Sequence, residues 1–135
     1  MRHLGIMILL FALLAVLPVN AADPVAPQAP FVVPVSSDGI QRATVTLDSY
    51  SYTPNHLIVE TGKPVELTLV SVTTIVPHNF IIKEVLVEHD VRAGKTAVVK
   101  FTPAQTGIFA IYCDKRLWPL PSHRDKGMEG KLEVK

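Results

Sequence analysis

The chain has 135 residues, 13 of them Lys or Arg against 12 Asp or Glu, and 48% are hydrophobic. That length allows one domain, and the even charge balance excludes the basic excess that neutralising a nucleic-acid backbone requires. A single cysteine, Cys113, rules out an intrachain disulfide.

Arg2 and His3 lead into a nearly unbroken apolar run, Leu4 to Val19, and Val19-Asn20-Ala21 supplies the small residues that a signal peptidase selects. Residues 1–21 therefore read as a cleavable secretory signal, whose 16-residue apolar run falls short of the roughly 20 residues of a bilayer span. Its removal takes away Arg2 and no acid, which leaves basic and acidic residues equal in number. Residues 22–39 carry Pro24, Pro27, Pro30 and Pro34, a pattern that bars regular helix and predicts an extended leader. The folded domain is read from Ile40 to Lys135.

Within it, short β-branched and apolar runs are punctuated by Pro, Gly and Asn at the spacing of a sandwich. Apolar and polar residues alternate over Ala43–Asp48 and Val65–Leu69, so each strand has one core face. Leu57–Thr61 is a strand that ends in the turn Thr61-Gly62-Lys63-Pro64. Further strands are predicted over Asn79–Ile82, Val85–Val87, Thr96–Phe101, Ile108–Cys113 and Lys131–Val134. No stretch after the signal holds a helical period. The class is all-β, a Greek-key sandwich of about seven or eight strands.

Four side chains carry the chemistry: His78, Cys113, His123 and Met128. One thiolate, two imidazoles and one thioether are soft or borderline donors, a set that favours copper, and a long axial sulfur contact is tolerated in trigonal copper sites. Zinc prefers four strong ligands. His78 precedes one strand and Cys113 ends another, and in antiparallel strands those two ends meet. Cys113 shares a strand face with Phe109 and Ile111, which turns its sulfur towards the core.

The region from Ile40 to Lys135 resembles a cupredoxin, the blue-copper fold of plastocyanin, azurin and pseudoazurin. The segments that carry the likeness are Tyr52-Thr53-Pro54-Asn55-His56-Leu57-Ile58-Val59, Pro77-His78-Asn79-Phe80, Ala93-Gly94-Lys95-Thr96, Phe101-Thr102-Pro103, Gly107-Ile108-Phe109-Ala110-Ile111-Tyr112-Cys113 and Gly127-Met128-Glu129-Gly130. The resemblance implies one copper ion, with His78, Cys113 and His123 as equatorial ligands and Met128 as the weak axial one. It also implies that Asn79 helps tie the two ligand loops together. Nine residues separate Cys113 from His123, where the family usually has two to four, so the site type (blue, green or red) stays open.

Other residues have plainer readings. His56 and His89 are surface or turn residues, Glu84 and Glu88 are strand-edge charges, and Asp114 and Glu129 point away from their ligand neighbours in an extended chain. Trp118, in the long loop, either packs that loop onto the sandwich or anchors a docking partner. From Asp114 to Met128 the basic residues Lys115, Arg116, Arg124 and Lys126 stand against the acidic Asp114 and Asp125, a pattern that suits either a rim steering an acidic partner or a solvated loop.

The resemblance implies a periplasmic one-electron carrier rather than an enzyme. Redox partner proteins would dock near His123 and Trp118, with no small-molecule substrate and a monomeric chain. Copper trafficking is the alternative, although methionine clusters are lacking. A copper oxidase or nitrite reductase subunit would need further histidines, often as His-x-His, and no such pair occurs in the sequence.

Overall fold

The computed structural model describes residues 28–135. The segment read as a signal and the first prolines of the leader lie outside the described residues. In chain order the strands are β1 (Phe31–Val32), β2 (Gln41–Asp48), β3 (Ser51–Thr53), β4 (His56–Val59), β5 (Val65–Ser71), β6 (His78–Ile82), β7 (Val87–Val91), β8 (Thr96–Phe101), β9 (Gly107–Tyr112) and β10 (Glu129–Val134). They form a six-stranded sheet in the order β1-β4-β10-β9-β6-β7 and a four-stranded sheet in the order β3-β2-β5-β8. The fold is the all-β sandwich expected, with a somewhat higher strand count.

The extra strands have identifiable reasons for escaping a pattern search. β1 lies between Pro30 and Pro34 and pairs in parallel with β4 through Phe31 and Leu57. It is an edge strand, where proline is tolerated, and Val33 just beyond it is buried in the core. Pairing therefore begins ahead of Ile40. The strand expected at Val85–Val87 is displaced: Lys83–Val85 forms a 3-10 turn, and β7 begins only at Val87. β7 turns Val87 and Val91 inward and exposes Glu88, His89 and Asp90, the charged face that keeps an edge strand from pairing further.

The alternation in β5 is fully expressed: Val65, Leu67 and Leu69 are buried, and the residues between them are partly exposed. They interleave with Val45 and Leu47 of β2, Leu57 of β4, Phe80 and Ile82 of β6, Ile111 of β9 and Leu132 of β10. Each such side chain contributes about 1.5–3 kcal/mol on burial, so apolar packing holds the sheets together. Truncating Leu67 to Ala would cost about 2–5 kcal/mol through the cavity it leaves.

Strand register brings three chain segments to one end of the sandwich. β6 and β9 run antiparallel, with Ile81 opposite Tyr112, and β10 returns antiparallel to β9, with Glu129 opposite Tyr112. The start of β6, the end of β9 and the start of β10 are thus neighbours. Gly130 permits this closure: a Cβ there would collide with the Asn55 carbonyl, which accepts the Lys131 N–H at 2.7 Å.

Candidate metal centre

His78 is the first residue of β6, Cys113 follows the last residue of β9, and Met128 precedes the first residue of β10. All three are fully buried, and His123, in the turn between Cys113 and Met128, is only 8% exposed. One ligand atom each from His78, Cys113 and His123 lie within 4.8 Å of one another, with Cys113 Sγ 3.4 Å from His123 Nδ1. Bonds of about 2.0–2.3 Å to a first-row ion place trigonal ligand atoms roughly 3.5–4 Å apart, so the spacing suits one ion. Met128 is held between the other two loop residues: its N–H donates to the His123 carbonyl at 2.9 Å, and its carbonyl accepts the Cys113 N–H at 3.2 Å.

The hydrogen bonds around His78 leave one nitrogen free. The Thr73 hydroxyl donates its proton to the Val76 carbonyl at 2.6 Å, so towards His78 it can only accept. The Nε2–H of His78 therefore donates to Thr73 Oγ1, a long contact of 3.5 Å, and this fixes the tautomer with a lone pair on Nδ1. That Nδ1 is buried without a hydrogen-bond partner. An unpaired buried nitrogen costs about 1–3 kcal/mol, a cost that a bound cation would offset.

Electrostatics follow from burial. Desolvation, assisted by the nearby His123, lowers the His78 imidazole from 6.5 to about 4. His123 is also lowered, by burial first and then by Lys126. Burial pushes the Cys113 thiol upward, and the N–H groups of Asn79 and Lys115 oppose that rise. At neutral pH and without a cation the site thus holds two neutral imidazoles and a protonated thiol. A metal ion would displace the thiol proton.

Asn79 spans the two ligand-bearing strand ends. Its N–H donates to Cys113 Sγ at 3.4 Å, its Nδ2 donates to Asp114 Oδ1 at 2.7 Å, and its Oδ1 accepts the Asp114 N–H at 3.1 Å. Asp114 therefore does not merely point away from the site, as the sequence reading held. It is half of a reciprocal clasp, because the chain after Cys113 has left the strand and no longer alternates. The Asn79 carbonyl accepts the buried Tyr52 hydroxyl at 2.7 Å.

The long arm between Cys113 and His123 is a closed excursion. The His123 N–H donates to the Lys115 carbonyl at 2.8 Å, so residues 116–122 leave and return at nearly one point while the ligands stay in short-loop proximity. On the return side Ser122 and Asp125 hydrogen-bond reciprocally, Ser122 Oγ to Asp125 Oδ2 at 2.7 Å and the Asp125 N–H to Ser122 Oγ at 3.1 Å. This locks the turn that carries His123. Tyr50, at φ 60, sets its ring edge-on to His123 with centroids 5.1 Å apart.

Trp118 is 79% exposed, so it does not pack the arm onto the sandwich. Between the arm and the Ile75–Pro77 segment lies a cavity of about 380 Å³, with His123 in its wall. The other two histidines among the described residues stand apart from the cluster: His56 is half-buried against Glu133 at 3.0 Å, and His89 is exposed on β7. Sequence reasoning missed Thr73, Tyr50, Asp114 and the Lys115 carbonyl. Only Asp114, adjoining the cysteine, carried any signal.

Comparison with known proteins agrees with this architecture. The chain is similar to the metal-binding domain of the Cu(I)-exporting P-type ATPase CopA of Streptococcus pneumoniae D39, with 20% identity, a TM-score of 0.60, and 80% of this chain and 99% of that one covered. It is similar to dithionite-reduced auracyanin from Roseiflexus castenholzii, with 17% identity, a TM-score of 0.59, and 70% and 96% covered. It is also similar to auracyanin A of Chloroflexus aurantiacus, a "blue" copper protein, with 18% identity, a TM-score of 0.55, and 70% and 99% covered. At these identities the likeness is one of fold. No curated protein matches the chain in sequence. The family model of the cupredoxin-like domain, however, matches residues 6–132, and the His78, Cys113 and His123 cluster with buried Met128 is compatible with a single copper site. By that match the chain belongs to the cupredoxin-like domain family.

Proposed function

We propose that this protein is an exported one-electron carrier, not an enzyme, in which His78, Cys113, His123 and Met128 would hold one copper ion. The carrying observation is the convergence of a buried thiol and two imidazole nitrogens, one of them unpartnered, within 4.8 Å. Bound copper supplies a couple between two oxidation states at one site. The chain's own contribution is to keep the donors nearly still during that change. Cys113 gives up its proton to bind, the Asn79–Asp114 clasp fixes the distance between β6 and β9, and Thr73 holds the His78 tautomer.

His123 lies at the surface side of the cluster and offers the edge through which an electron would reach a partner. Redox partner proteins would dock on the exposed apolar face around His123 and Trp118, with Arg116 and Lys126 guiding an acidic rim. The reading of residues 1–21 as a signal supports a periplasmic location. Among the described residues no helix is long and apolar enough to cross a membrane.

The test is to load purified protein with Cu(II) and record metal content and the visible spectrum. One copper per chain with a strong thiolate-to-copper band is expected, and Cys113→Ser should remove the band while the β-sheet circular dichroism persists. Copper-loaded protein without the band would overturn the proposal. Retention of copper against a chelator through repeated redox cycles distinguishes carriage from delivery, and rapid loss would favour trafficking. Met128→Leu should retain copper and shift the reduction potential.

A further inference from the structure

The arm of residues 116–122 builds a concavity beside the ligand cluster, sharing only His123 with it. Its lining includes Ile75, Pro77, Leu117, Leu120 and Pro121, together with Tyr50 and His123. Ile75 is 84% and Leu117 74% exposed, so the apolar surface faces water instead of the core. Clustered exposure of this kind marks a binding surface more often than chance.

Shape argues for a small molecule. At about 380 Å³ the cavity falls in the lower range of ligand pockets, about 300–1,000 Å³. A benzene ring occupies an engineered cavity of roughly 150 Å³, so the cleft has room for a body of about two fused or linked rings. Proline, tyrosine and imidazole rings among the lining residues suit a flat occupant.

Charge argues for an anion. Three cations line the cleft, Lys115, Arg116 and Lys126. Lys115 is paired with Asp90 at 2.7 Å. The other two have no carboxylate partner among the described residues: Arg116 lies over the Trp118 ring at 5.7 Å, and Lys126 donates to the Tyr50 hydroxyl at 3.0 Å. Both keep donors available, and no carboxylate lines the cleft to oppose an anion.

We infer that the cleft between Ile75–Pro77 and the 116–122 arm binds a small planar organic anion, an aromatic body bearing one sulfonate, carboxylate or similar group. The aromatic body lies against Ile75, Leu117 and Leu120, and Arg116 and Lys126 hold the anionic group. Such a ligand is bound and not transformed, and it would cover the edge of His123. The inference does not require a metal, so it stands or falls separately from the copper reading.

The experiment is titration of the full chain, metal-free, with anilinonaphthalenesulfonate, following the dye's fluorescence and that of Trp118, the chain's one tryptophan. Saturable binding of one dye per chain with a change in Trp118 emission is expected. Arg116→Glu and Leu120→Asp should each weaken it roughly tenfold, the effect of one charge-assisted contact or one spoiled apolar wall. Leu86→Asp, at a side chain 94% exposed and outside the cleft, should leave it unchanged. Uncharged phenylnaphthylamine should bind at least about tenfold more weakly than the sulfonate. The inference is overturned by non-saturable binding, by equal loss in Leu86→Asp, or by equal affinity for the uncharged dye. It is overturned too if phosphatidylglycerol vesicles alone shift Trp118 emission, or if a copurifying acidic protein engages the same residues while the dye does not.

Discussion

Two fully buried polar side chains at opposite ends of the sandwich, Gln41 and His78, are treated in opposite ways. At the end where β2 and β5 begin, Gln41 is fully buried, and its amide is used completely. Its Nε2 donates to the carbonyls of Glu60 at 3.1 Å and Lys63 at 3.3 Å, and its Oε1 accepts the Glu60 N–H at 2.6 Å. At the other end His78 is equally buried, yet its Nδ1 meets no donor or acceptor and sits in a cluster with a thiol and a second imidazole. A polar group satisfied inside the protein stabilises the fold. One left unsatisfied beside other soft donors marks a place kept for an ion.

The sharpest break in that contrast comes from replacing each residue with leucine. His78→Leu should abolish copper binding and the visible band. In the metal-free protein, however, it should leave the melting temperature unchanged or raise it, because an apolar side chain replaces an unpaired nitrogen. Gln41→Leu should do the reverse: three backbone groups of Glu60 and Lys63 lose their partner, at a cost of about 2–4 kcal/mol, while the copper spectrum stays as it was. Thermal denaturation of both variants, with and without copper, checks the pair. A large loss of metal-free stability in His78→Leu would mean that the imidazole is a structural group.

A smaller effect separates the two ends by pH. The unfolded chain protonates His78 near its ordinary value of 6.5, but the folded chain does so only near 4. Stability of the metal-free protein is therefore full above about 6.5 and falls as pH drops towards about 4, since the unfolded state takes up the proton first. Depressed carboxylates such as Glu66 and Glu133 add their own loss at lower pH. The difference between wild type and His78→Leu across this window isolates the histidine, and parallel curves would count against a depressed His78.

Much of this was legible in the chain itself, for physical reasons that also explain the gaps. Alternation with period two in Val65–Leu69 reports a half-buried strand because side chains of a pleated strand face opposite sides. The donor types at His78, Cys113, His123 and Met128 pointed to copper because softness is a property of the atoms. β1 was not legible, since two exposed residues between prolines carry no periodicity. Nor was the closed form of the arm: the bond from the His123 N–H to the Lys115 carbonyl is made by backbone, and no side chain announces it. Trp118 had two readings because an aromatic among prolines suits a packed loop and a projecting one equally. Only geometry separated them.

The least of the expected effects concerns the clasp that joins the ligand-bearing strand ends. Asp114→Ala removes the acceptor for Asn79 Nδ2, one of the two bonds between these residues, and retains the other, from its own N–H to Asn79 Oδ1. Losing one such partly buried bond costs about 1 kcal/mol, which in a domain of this size lowers the melting temperature by about 4 °C. Asp114→Asn keeps an oxygen acceptor in the same position and should restore most of that loss. Because the clasp joins the strand end bearing His78 to the one bearing Cys113, Asp114→Ala should also move the visible band of the copper-loaded protein slightly, and Asp114→Asn should return it. A melting temperature lowered equally by both variants, with the band unmoved, would mean that Asp114 acts through its charge and takes no part in setting the distance between the two ligands.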